Sequence, residues 1–102
     1  MPLDKINKRE LHQLFRAILS LKTIDECYQF FDDLCTVGEI KAFAQRLEVA
    51  RMLREGYTYN QIEIETGAST ATISRVKRCL HYGMNGYELV LDRLEKEASE
   101  SE

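Results

Sequence analysis

Apolar residues recur at helical intervals along nearly the whole chain, and no stretch makes a convincing strand. Leu11, Leu14, Phe15, Ile18 and Leu19 fall at i, i+3, i+4, i+7 and i+8, which predicts an amphipathic first helix over about 6–21. Thr23 followed by Glu26 has the form of a capping box and opens a second helix, whose apolar face carries Ile24, Cys27, Tyr28, Phe31 and Leu34. Thr36 with Glu39 repeats the device. The third helix is expected over about 37–55, with Ile40, Phe43, Leu47 and Ala50 on one side, Lys41, Glu48 and Arg51 on others, and a stop at Gly56.

The segment TYNQIEIETGASTATISRVKRCL, residues 58–80, predicts two further short helices joined by a tight turn. Thr58 can cap the first of them with Gln61 reaching back, and Ile62 gives it an inward contact. Gly67 can take the left-handed conformation that closes this helix, and Ala68 is small enough to lie under a helix crossing. Ser69 caps the next helix. There Ile73, Val76 and Leu80 form one buried stripe, while Thr70, Ala71, Ser74, Lys77 and Arg78 face elsewhere. A turn-rich break, HYGMNG at 81–86, precedes a last helix marked by Tyr87, Leu91 and Leu94. The sum is an all-α chain of about six short helices, each needing its neighbours to bury its stripe.

The pair of helices at 58–80 has the form of a helix-turn-helix. Small residues at the start of its second helix would let the backbone approach base edges in a major groove, hydroxyls would bond bases or phosphates, and Lys77 and Arg78 would reach the backbone. Ordinary helical packing can produce the same outline.

Charge sharpens this picture. The chain of 102 residues has a net charge of −3, which counts against a strongly basic nucleic-acid binder. The distribution is uneven: residues 1–40 hold five basic and seven acidic side chains, 41–81 seven and four, and 82–102 two and six. Only the middle third is positive. That modest excess implies few phosphate contacts per subunit and dependence on two subunits acting together. The acidic end, EKEASESE at 95–102, reads as a frayed, solvated tail beyond a single domain over 1–94.

Cys27, Cys35 and Cys79 show neither CxxC spacing nor a histidine cluster, so no metal site is expected; Cys27 and Cys35 lie on an apolar stripe and read as small buried hydrophobes. His12 and His81 have no nucleophile or carboxylate at an obvious catalytic spacing, and no glycine-rich phosphate loop occurs, so the chain is not read as an enzyme. No apolar run approaches the ~20 residues of a membrane helix, and the charged start MPLDKINKRE lacks the form of a signal peptide; the expected location is the cytoplasm, with no membrane partner.

The run FFDDLCTVGEIKAFAQRLEVARMLREG followed by GASTATISRVKRCLHYG resembles the tryptophan-repressor superfamily and, within it, the TrpR-related family called YerC/YecD. The resemblance covers about residues 14–87. It implies a TrpR-like fold interlocked between two subunits as an intertwined homodimer, and a sequence-specific transcriptional regulator, a repressor, acting on double-stranded DNA. The aromatic residues Phe30, Phe31 and Phe43 would suit a monomer core equally well. The implied DNA-binding residues are Ser69, Thr70, Ala71, Thr72, Ser74, Lys77 and Arg78. In the family pattern Thr70 replaces an isoleucine, Ser74 a threonine, and Asn60 and Glu63 replace basic residues, so the operator or the docking angle should differ.

By the same resemblance Arg46 and Arg75 match the two arginines that flank tryptophan in the repressor, and Thr36 matches a threonine of that pocket. These three form a candidate pocket for a small anionic or amino-acid effector; no other cofactor is implied. The alternative for both arginines is pairing with acidic neighbours or phosphates. Tryptophan itself is not expected to bind, because Val76 replaces the glycine beside the indole and Cys79 a serine. A second class of function keeps the same scaffold but uses it as a protein-interaction module of the transcription machinery, favoured by the acidic balance.

Overall fold

Six α-helices and a short 3-10 helix make up the regular structure of the computed structural model, which describes residues 2–101. Among the described residues there is no strand. They divide into two compact units, with the division between Val37 and Gly38.

The first unit contains the 3-10 helix Pro2–Lys5, α1 (Lys8–Leu19) and α2 (Ile24–Leu34). Helix α1 starts two residues later than its apolar pattern because Asn7 caps it, its side-chain oxygen accepting from the backbone N–H of Arg9 at 3.0 Å and of Glu10 at 3.1 Å. Thr23 caps α2 as its sequence indicates, accepting from the N–H of Glu26 at 3.1 Å. The Glu26 carboxylate, however, reaches past the cap to the N–H of Lys22 at 2.8 Å, so the box closes one residue early.

Neither helix buries a single residue, although both are strongly amphipathic. On the α2 stripe Ile24 is 76 % exposed and Tyr28 73 %, and at the end of α1 Leu19 is 83 % exposed. Cys27 is exposed as well, correcting its reading as a buried thiol, and Cys35 is half-buried; all three cysteines are free. Two short helices cannot enclose each other's apolar faces, so the stripes are present but have nothing to bury against within the unit.

The second unit is built from α3 (Val37–Arg54), all of it but Val37, with α4 (Tyr59–Thr66), α5 (Thr70–Tyr82) and α6 (Gly86–Ser101). Its core consists of Val49, Ala50, Met52, Ile62, Ala68, Ile73, Val76 and Leu91, with Leu47, Leu53, Tyr59, Leu80 and Tyr87 packed around them. The apolar side of α3 differs from expectation: Val49 and Met52 are buried, while Phe43 is 48 % exposed. Helix α3 carries apolar residues all around, and such a helix has no single stripe from which a buried face can be read.

Helix α6 runs unbroken to Ser101, without a boundary at residue 94, and Glu95 of the segment expected to fray is paired with Arg54 of α3 at 3.2 Å. The break before α6 is shorter than the sequence suggested, since His81 and Tyr82 still belong to α5 and Asn85 takes a left-handed φ of 62°. No helix among the described residues is long and apolar enough to cross a membrane. No group of three or more His, Cys, Asp or Glu among them is placed to hold a metal ion.

Candidate nucleic-acid interface

Local chemistry fixes the α4–turn–α5 unit. Thr58 and Gln61 form a complete capping box: the Gln61 N–H donates to Thr58 Oγ1 at 3.2 Å and the Thr58 N–H to Gln61 Oε1 at 2.9 Å. Thr58→Ala should lower stability by about 1 kcal/mol in a urea titration, and an unchanged midpoint would mean that the cap contributes nothing. Gly67 ends α4 with φ 72°, and its N–H donates to the Glu63 carbonyl at 2.9 Å. The Thr66 hydroxyl then bridges the turn, donating to the Ile62 carbonyl at 2.7 Å and accepting from the N–H of Ala68 at 3.1 Å. Gln45 of α3 closes the arrangement, its Nε2 donating to the Thr66 carbonyl at 3.0 Å. The Thr66 hydroxyl and carbonyl and the N–H groups of Gly67 and Ala68 are thus occupied within the chain.

The turn leads into α5 with Ala68 buried and with Ile73 and Val76 almost fully enclosed. These contacts fix the rotation of α5 about its axis, and therefore what it presents outward. Thr70, Ala71, Ser74, Arg75, Lys77 and Arg78 are all exposed. Arg75 and Arg78 make no ion pair among the described residues, while Lys77 Nζ lies 5.6 Å from the centre of the Tyr59 ring. Ser69 and Thr72 are used differently from the rest: Ser69 Oγ accepts from the Thr72 N–H at 3.1 Å and donates to Thr72 Oγ1, also at 3.1 Å. That pair caps α5 at its first turn. Thr70 Oγ1 donates to the Glu63 carboxylate of α4, an interhelical bond that the sequence did not reveal.

The electrostatics narrow the basic set. Arg51 is bound within α3 to Glu48 at 2.6 Å and Glu55 at 2.5 Å. Its hydrogen bond holds the Glu48 carboxyl below its ordinary pKa against a smaller opposing effect of burial, and the same bond raises the pKa of Arg51. With a depressed folded pKa, Glu48 stabilises the fold above its unfolded value, and that contribution fades as pH falls through the folded value; for so exposed a pair it is small. Arg54, 21 % exposed, pairs with Glu88 at 3.2 Å, Asp92 at 2.9 Å and Glu95 at 3.2 Å, tying α3 to α6. Two of the seven basic residues in 41–81 are therefore neutralised internally, and those left open are concentrated on α5.

The candidate effector residues belong to different elements of the chain. Thr36 precedes α3 in the first unit, Arg46 lies half-buried in α3 with its guanidinium 5.3 Å from the Phe43 ring centre, and Arg75 is exposed on α5. None of them lines the open groove of about 310 Å³ in the second unit, whose walls include Leu53, Tyr57, Tyr59, Lys77 and His81. Val76 is 1 % exposed and packed in the core, so its side chain fills space that a glycine would leave open.

Comparison with known proteins places these features in a family context. The model of the family described as Trp repressor protein matches residues 9–95. YerC, an uncharacterized protein of Bacillus subtilis (strain 168), is 66 % identical over 101 residues, covering 99 % of this chain and 97 % of that protein. The crystal structure of a candidate Trp repressor from Staphylococcus aureus superposes with a TM-score of 0.89 at 57 % identity, covering 93 % of this chain and 95 % of that one. A TrpR-like protein from Eubacterium eligens ATCC 27750 gives a TM-score of 0.87 at 56 % identity, over 90 % and 95 % of the two chains.

Proposed function

Because the chain belongs to the Trp repressor family, we propose that it is a sequence-specific DNA-binding transcriptional regulator, a repressor that works as a homodimer in the cytoplasm. The observation that carries this reading is the outward face of α5. Its small residues Thr70, Ala71 and Ser74 are exposed, with the uncommitted cations Arg75 and Arg78 and the ring-stacked Lys77 further along, while Ile73 and Val76 anchor the opposite side. Small residues permit close approach to base edges, and the cations suit phosphates.

Two-fold operators, with half-sites ~34 Å apart, require paired reading helices, and the unburied apolar stripes of α1 and α2 supply the surface for pairing. With Ile24, Tyr28 and Leu19 so exposed, a second copy offering the same stripes is the simplest occupant.

On this reading Ser69 and Thr72 hold the start of α5 in shape, Ser74 contacts bases, and Lys77 and Arg78 contact phosphates. Arg78→Ala should weaken binding to all duplexes about alike and reduce the slope of log affinity against log salt by about one. A variant with unchanged affinity and slope would remove Arg78 from the interface. Tryptophan is not the effector, because the buried Val76 occupies the place of the family's glycine. Calorimetry with millimolar tryptophan should show no heat of binding, and saturable heat would overturn that exclusion. Arg46 and Arg75 retain the capacity for another small anion.

The test of the function itself is selection from random duplex DNA by the purified protein at about 150 mM salt. An enriched two-fold motif, the same with and without tryptophan, is the expected outcome. Failure to enrich any sequence would count against DNA reading and favour the protein-interaction use of the scaffold, for which Ile64, 76 % exposed on α4, would be a contact.

A further inference from the structure

Glu63 stands where the family pattern has a basic residue, and by charge alone it should repel DNA. Its position in the structure gives it a different significance. The carboxylate accepts the hydroxyl proton of Thr70, the first residue of α5, across the helix-turn-helix crossing. Glu63 is half-buried and Thr70 exposed, and the bond between them lies at the surface, at the start of α5.

A threonine hydroxyl has one proton and two lone pairs. With the proton committed to Glu63, the Thr70 hydroxyl can only accept a further hydrogen bond, and the negative charge bonded to it strengthens that polarity. The neighbouring hydroxyls do not cancel this effect, since Ser69 and Thr72 are bound to each other. Further along the face, Ala71 adds no hydrogen-bonding group and the cations begin only at Arg75.

We infer that Glu63 is a positioning residue for sequence specificity: by holding the Thr70 hydroxyl as an acceptor, it selects a cytosine amino group at the base pair facing the start of α5. The inference rests on the DNA-reading function proposed above. In the major groove cytosine presents a donor, its N4 amino group, whereas guanine presents N7 and O6 as acceptors and thymine presents O4 as an acceptor. Adenine has a donor at N6, but its N7 acceptor lies next to it and would face the carboxylate. The acceptor-only pair therefore favours cytosine first, adenine second, and disfavours guanine and thymine.

The test compares selections from random duplexes by the wild-type protein, Glu63→Gln, Thr70→Val and Thr70→Ser. Glutamine carries no charge to hold the Thr70 proton and can instead donate its amide N–H to Thr70 Oγ1, which frees the hydroxyl to donate outward, so guanine and thymine should be admitted at this one position. The expected change is a loss of about tenfold preference for cytosine over guanine there, with the rest of the motif retained. Thr70→Val, which removes the hydroxyl, should lose the same preference, and Thr70→Ser, which restores it, should recover it. The retained remainder of the motif reports that the variants are folded. A merely structural Glu63 would alter overall affinity without altering one base position. If all four proteins enrich the same motif, or if the wild type has no cytosine or adenine preference at a position these variants change, the inference is overturned while DNA reading stands. If the wild type enriches nothing, the functional reading fails and this inference fails with it.

Discussion

Replacing Ile73 with alanine should lower the free energy of unfolding by about 2–5 kcal/mol in a urea titration. Ile73 has no solvent exposure and lies among the buried residues of α3, α4, α5 and α6, so truncation leaves a cavity where the reading helix meets its support. The adjacent Ser74→Ala change should shift stability by no more than about 0.5 kcal/mol, since Ser74 is exposed, yet alter which duplexes are preferred. One residue apart on α5, the two substitutions separate folding from recognition. Loss of less than about 1 kcal/mol from Ile73→Ala would mean that α5 is not held by this core.

The second large effect is expected in the first unit. The double change Ile24→Asp and Tyr28→Asp places two carboxylates on the exposed α2 stripe, one helical turn apart. Each residue, if enclosed by a second copy, contributes roughly 1.5–3 kcal/mol through burial, and a charge in its place would be desolvated without a partner. Sedimentation should show a dimer for the wild type and a subunit dissociation constant raised by at least about a hundredfold in the variant, with a corresponding loss of affinity for a two-fold duplex. A variant that remains dimeric would place the subunit interface elsewhere, and a monomeric wild type at micromolar concentration would remove the homodimer from the account.

What the sequence revealed and what it concealed follow from the range of the interactions involved. Both ends of α4 and the start of α5 were legible because they depend on contacts two to four residues apart: Thr58 with Gln61, Gly67 in its left-handed conformation, and Ser69 with Thr72. The buried stripe of α5 was legible for the same reason, since its opposite face is polar. The buried side of α3 was not, because apolar residues surround that helix and only its neighbours decide which of them are covered. Asn7 with Glu10 was a local signal that the apolar pattern of α1 overrode. Cys27 was misjudged because periodicity reports an apolar face but says nothing about what covers it.

The candidate site divides along the same line. Its exposed residues on α5 could be read from helical periodicity, but their commitments could not. That Glu63 takes the Thr70 proton depends on the angle at which α4 and α5 cross, and seven residues of separation give no hint of it. The modest basic excess of the middle third could not be assigned to particular residues until the partners of Arg51 and Arg54 were located. Three carboxylates at Glu88, Asp92 and Glu95 share one side of α6, a spacing visible in the sequence, but the arginine they converge on belongs to α3.

The most direct test of the central claim is the ratio of affinities for a duplex carrying the selected motif and for a scrambled duplex of equal length, measured by fluorescence anisotropy at physiological salt. A protein that reads sequence through α5 should prefer the motif by about 10³-fold or more. A ratio near one, with both affinities falling together as salt is raised, would show binding through phosphates alone and contradict the account.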